Sequence, residues 1–136
     1  MYKHLLLGFW LSAVIAFPAA AQQISCLSLE RFGRSTFAMA DQNGDGFVDE
    51  AEFANDVAAG FAALDTRHKG WLEPSDVPEM SPELFARIDT NHDGRLSFSE
   101  VMRFKMEEFR RADTNQDGRL SVDEVLRFNA AQAPGC

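Results

Sequence analysis

Apolar and polar positions fall along this chain in blocks. From Leu5 to Phe17 a run of apolar side chains carries no charge, Lys3 lies ahead of it, and Pro18-Ala-Ala-Ala21 closes it. Beyond that segment the apolar positions repeat with a long period. Phe37, Phe61, Phe85 and Phe109 lie 24 residues apart, each four positions ahead of an Asp. With each Asp counted as position one, Gly46, Gly70, Gly94 and Gly118 stand at position six, Val48, Leu72, Leu96 and Leu120 at position eight, and an acid at position twelve. A fixed period of this length signals repeated supersecondary units.

Only twelve residues separate one polar loop from the next. Between Glu100 and Asp113, Val101, Phe104, Phe109 and Ala112 form one stripe that no Gly or Pro interrupts, so one helix serves both flanking loops. Phe53 to Leu64 reads the same way, with Gly60 and the Asn55-Asp56 pair as the place for a kink. The middle connection differs. Pro74, Pro78 and Pro82 interrupt it, and Ser81-Pro82-Glu83 has the form of an N-cap and first turn, so the chain is expected to reverse around residues 77 to 82. Two shared helices of about 20 Å, antiparallel across that reversal, set loop two beside loop three and loop one beside loop four. Loop one cannot pair with loop two while the helices stay straight.

The leading segment has the form of a secretory signal. Lys3 supplies the positive start, the thirteen-residue apolar run is too short to span a bilayer, and Ala19-x-Ala21 offers a peptidase its small side chains. Residues 1–21 are expected to be removed, leaving a single domain over 22–136 that is exported, periplasmic or secreted, and without a membrane span. The full chain has 13 Lys plus Arg against 21 Asp plus Glu, and the part after residue 21 carries a formal −9. That balance disfavours nucleic acid as a partner. With 46% hydrophobic and 25% charged residues, the composition is that of a folded domain. Cys26 and Cys136 stand near the two ends of that domain, either bridged or as two free thiols. A bridge would close a loop of about 110 residues and in the chain-entropy account add about 5 kcal/mol.

Loops 41–52, 89–100 and 113–124 each fit D-x-[DN]-x-[DN]-G-x5-E throughout. On these motifs the chain resembles the EF-hand family over roughly residues 29 to 128. The resemblance implies an all-α fold, an EF-hand helix-loop-helix array whose helices are shared between consecutive loops and whose loops pair through short strands. It also implies Ca2+, a hard cation that takes six to eight oxygens. The ligands it implies are Asp41, Asn43, Asp45, Phe47, Asp49 and Glu52 in loop one and Asp89, Asn91, Asp93, Arg95, Ser97 and Glu100 in loop three. In loop four they are Asp113, Asn115, Asp117, Arg119, Ser121 and Glu124. Phe47, Arg95 and Arg119 would ligate through main-chain carbonyls, which leaves the side chain at position seven free to vary. Asp49 would reach the ion directly or through water, and Ser97 and Ser121 would hold a bridging water. Ten carboxylates are thereby ligands, about half of all the acids, and loop one, with the most of them, is expected to bind tightest.

Loop two, 65–76, keeps the frame but places Arg67 and Lys69 where positions three and five should offer oxygens. It is expected not to bind calcium. An internal cation, Arg67 or Lys69 paired with Asp65, Glu73 or Asp76, would replace the ion. His68 and His92 stand at position four, which in this family faces away from the metal, and two isolated His do not make a transition-metal site. No Ser/His/Asp or Cys/His arrangement suggests an enzyme, so no catalytic residue is expected. A calcium-binding module is therefore the first reading. The alternative is a calcium sensor that shows an apolar groove, drawn from Met39, Met80, Met102, Met106 and the Phe residues, to an unidentified protein partner.

Overall fold

The computed structural model describes residues 26–132, with side chains from residue 33 onward. The expected leader at residues 1–21, Cys136 and the side chain of Cys26 lie outside the described residues, and so does any bridge between the two cysteines. The described chain forms α1 (Cys26–Ala40), β1 (Phe47–Asp49), α2 (Glu50–Leu64), β2 (Trp71–Leu72) and α3 (Pro82–Ile88). It continues through β3 (Leu96–Ser97), α4 (Phe98–Ala112), β4 (Arg119–Ser121) and α5 (Val122–Gln132).

Most internal helix boundaries are written in the repeat. The Asp at position one closes the preceding helix: the amides of Asp41, Asp65, Asp89 and Asp113 donate to the carbonyls of Phe37, Phe61, Phe85 and Phe109, each at 2.9 Å. In loops one, three and four position nine opens the following helix. Asp49 and Ser97 are N-caps whose side chains accept the amides of Glu52 and Glu100, while those glutamates accept the cap amides in return. Such a reciprocal box satisfies two of the amides that a helix start leaves unpaired. Ser81 caps α3 in the simpler way, accepting the Leu84 amide with Pro82 in the first turn, as its sequence foretells.

Both shared helices are continuous over 15 residues. α2 runs through Gly60 as part of one helix, because burial of Phe53, Val57 and Phe61 on the same face outweighs the roughly 1 kcal/mol propensity loss of a helical glycine. Between α2 and α3 the chain turns through residues 74–80, with the amides of Asp76, Val77 and Met80 donating three residues back to Glu73, Pro74 and Val77. The reversal sends α4 back along α2.

That arrangement fixes the loop pairs. β1 pairs antiparallel with β4, Val48 opposite Leu120, and β2 with β3, Leu72 opposite Leu96. Loop one therefore sits beside loop four and loop two beside loop three. The four position-eight side chains are at most 2% exposed, so each ladder is pinned into the core from beneath. Phe37, Phe61, Phe85 and Phe109 are buried with them, and Phe53 packs on Phe109 with ring centroids 5.1 Å apart. α2 packs on α4 and α1 on α5, where a side chain at Gly33 would come within 2.8 Å of Leu126.

The stripe expected on α4 is buried, but two charged residues are buried beside it. Lys105 and Glu108 are 3% and 1% exposed, and the Lys105 Nζ donates to Glu108 Oε2 at 2.8 Å. Their i, i+3 spacing was the sequence signal, since side chains so placed meet on one helix face. Burial pushes the Lys105 ammonium down from its ordinary value, and the Glu108 carboxylate opposes that shift.

Candidate metal centres

The four loops share one skeleton of hydrogen bonds. In each, the Asp at position one accepts the amide of the position-six glycine: Asp41 from Gly46 at 3.0 Å, Asp65 from Gly70 at 2.7 Å, Asp89 from Gly94 at 2.9 Å and Asp113 from Gly118 at 3.0 Å. Those glycines have φ between 76° and 85°, a region that side-chain-bearing residues avoid, so the sharp turn needs Gly. Position four also lies in the left-handed region. Gly44 fills it in loop one, whereas His68, His92 and Gln116 adopt φ of 52°, 57° and 60° in the others.

In loops one, three and four the acid at position twelve folds back over the loop. Glu52 Oε1 accepts the amides of Gln42 and Asn43, both at 3.0 Å, and its Oε2 accepts the Asp49 amide at 3.1 Å. Glu100 accepts the amides of Thr90 at 2.9 Å and Ser97 at 3.0 Å, and Glu124 those of Thr114 at 3.1 Å and Ser121 at 3.0 Å. Position five is oriented locally, with Asn43, Asn91 and Asn115 accepting the amides of Asp45, Asp93 and Asp117 at 2.8 to 3.0 Å.

Two residues that the motif does not name take part. The hydroxyls of Thr90 and Thr114 donate to Glu100 Oε1 at 3.0 Å and Glu124 Oε1 at 3.1 Å. A Thr at position two of loops three and four was the signal available in the sequence. Position nine also works through the glutamate, because the hydroxyls of Ser97 and Ser121 donate to Glu100 and Glu124 Oε2 at 2.8 Å. Burial would raise the Glu100 carboxyl, but the Ser97 amide and hydroxyl and the Thr90 hydroxyl and amide outweigh it and hold it at about 2. Glu124 is lowered for the same reasons through Ser121, Thr114 and Asn115.

Among the described residues, no three His, Cys, Asp or Glu groups already meet at one point, and the case for a metal rests on donor chemistry. Loops one, three and four offer only oxygen at positions one, three, five, seven, nine and twelve, and the glutamates of loops three and four are held ionised. That set suits a hard divalent cation and gives nothing to a soft one.

Loop two makes the contrast. Lys69 Nζ donates to Asp76 Oδ2 at 2.7 Å and Glu73 Oε2 at 3.0 Å, and Arg67 reaches the same two carboxylates at 3.3 Å. The internal cation expected here is present, on positions nine and twelve. The Lys69 hydrogen bond, with help from the Glu73 amide, draws the Asp76 carboxyl down to about 2. Asp65 contacts the lysine through the main chain, accepting the Lys69 amide at 2.9 Å.

Position seven departs from the expectation that its side chain is free to vary. The Arg119 guanidinium lies 4.4 Å from the Phe47 ring centroid across the β1–β4 ladder, and Arg95 lies 4.6 Å from that of Trp71 across β2–β3. The arginine charge in loops three and four is thus directed onto an aromatic face of the paired loop.

Comparison with known families agrees with this geometry. The EF-hand domain pair family matches residues 29–106, and the EF hand family matches residues 106–129. No curated protein matches the chain.

Proposed function

The chain belongs to the EF-hand family, whose domains bind calcium, and from that premise we propose that it is an exported calcium-binding module taking three Ca2+ per chain, in loops one, three and four. One observation carries the count. Where positions three and five are Arg67 and Lys69, the loop supplies its own cation to positions nine and twelve. Where they are Asn and Asp, the same backbone frame presents carboxylates with no cationic side chain of the loop to answer them.

When bound, calcium would supply the positive charge that Lys69 supplies in loop two. The chain's own residues prepare for it. Glu52, Glu100 and Glu124 are fixed by the amides at both ends of their loops, and in loops three and four also by the hydroxyls of Thr90, Ser97, Thr114 and Ser121. Held in this way, each glutamate loses little side-chain freedom on meeting an ion. Met80, Met102 and Met106 are partly buried against the core, and Met39 is exposed.

Export follows from the leader of residues 1–21, and delivery to a calcium-containing compartment would tie folding to the ion, since a ligand that binds only the folded state stabilises it. Calorimetric calcium titration of the chain tests the proposal. Three ions per chain support it; four, or none at millimolar calcium, overturn it. Processing after Ala21 is checked by the N-terminal sequence of the exported protein, which should begin at Gln22.

A further inference from the structure

We infer that the side chains at position seven couple calcium binding across the β1–β4 ladder, making Phe47 and Arg119 positioning residues for the ligands of loops one and four. The pattern is asymmetric along the chain. Loops one and two carry aromatics at this position, Phe47 and Trp71, and loops three and four carry Arg95 and Arg119. In the observed pairs each aromatic meets an arginine, at 4.4 and 4.6 Å.

The coupling follows from what else position seven does. It is the loop residue that offers its main-chain carbonyl to the ion, so anchoring its side chain on the partner loop ties the carbonyl's placement to that partner. Arginine suits this contact, because its weakly hydrated planar guanidinium stacks on a ring face. In the β1–β4 pair both anchors lie in calcium loops. In the β2–β3 pair Trp71 belongs to the loop held by Lys69, so loop three leans on a partner whose cation is permanent.

This inference rests on the proposed calcium sites, and the test separates the two. In a Glu100→Gln background, which silences loop three, calorimetry should read two ions, in loops one and four. Phe47→Leu, which leaves the charge unchanged, is expected to weaken that pair about two- to fivefold, the size of an exposed cation–π contact. The swap Phe47→Arg with Arg119→Phe keeps both charge and contact and is expected to restore the affinity of the background. If Phe47→Leu leaves the affinity unchanged, or if the swap folds and binds no more tightly than Phe47→Leu, position seven does not couple the loops. If no calcium binds in the Glu100→Gln background, the calcium assignment of loops one and four fails instead.

Discussion

Loops two and three face each other across one short ladder and share the first half of their frame, but only loop two carries cations at positions three and five. Both begin with an Asp that closes a helix and accepts the position-six glycine amide, and both bury a leucine at position eight. Both carry a histidine in the left-handed region at position four. Yet loop two answers its acids with Lys69 and Arg67, and loop three offers Asn91 and Asp93 at the same places. The architecture of the loop and its demand for a cation are therefore separable. Positions one, six and eight build the frame; positions three and five decide whether the loop carries a cation of its own.

The strongest way to break that comparison is to convert one loop into the other. Arg67→Asn with Lys69→Asp and Asp76→Glu removes the internal cation and lengthens the position-twelve acid. Calorimetry is expected to count four calcium ions per chain in place of three, and an unchanged count would mean that more than these positions distinguishes the loops. Next in size are the ladder leucines. Leu120→Ala and Leu72→Ala should each cost about 2 to 5 kcal/mol in denaturant unfolding with a chelator present. On the proposed assignment they should differ in calcium binding, since Leu120 lies between loops one and four, both proposed calcium sites, and Leu72 beside loop three alone. Equal losses at all three sites from Leu72→Ala would show that the two loop pairs are not independent.

A smaller effect sharpens the electrostatics of loop two. The Asp76 carboxyl lies at about 2, below its ordinary 3.8, chiefly through Lys69. A depressed carboxyl contributes stability above its unfolded value and loses it as pH falls through the folded one, so this contribution fades between pH 3.8 and about 2. Lys69 is raised above 10.5, first by its bond to Asp76, and its contribution is lost only as pH rises beyond that value. Side-chain NMR of Asp76 should give a midpoint of about 2 that moves up toward 3.8 in Lys69→Met. No upward movement would show that Lys69 is not the cation that holds it. The smallest effect concerns the frame the loops share. His68→Gly and His92→Gly each relieve a left-handed non-glycine residue and add glycine's own entropy cost, for a net gain of about 0.5 kcal/mol. Thermal unfolding should give equal gains in the two loops, because φ is 52° in one and 57° in the other; unequal gains would mean that the frames differ.

Much of this was legible in the residues because it is local. The spacing from Asp to Gly to acid fixes each loop's bonds within twelve positions, and the prolines of residues 74–82 mark the reversal. From those two facts the loop pairs follow by the geometry of straight helices. The role of position nine was legible only in part. Asp49 and Ser97 read as ligands, but the same side chains cap helices, and the Asp or Ser with a Glu three positions later that caps a helix is also the end of the calcium motif. Thr90 and Thr114 were missed because the motif leaves position two open.

The repeat, the acid spacing of the loops, the odd second loop and the turn between the halves can be read along the chain, because each depends on residues near one another in it. That α2 runs unbroken through Gly60 could not, since it rests on burial against α4 and outweighs local propensity. The tertiary structure alone placed Lys105 and Glu108 inside, where a charged pair survives by meeting its partner and not by reaching water. And it alone set Arg95 on Trp71 and Arg119 on Phe47, contacts between residues 24 and 72 positions apart that exist only once the loops are paired.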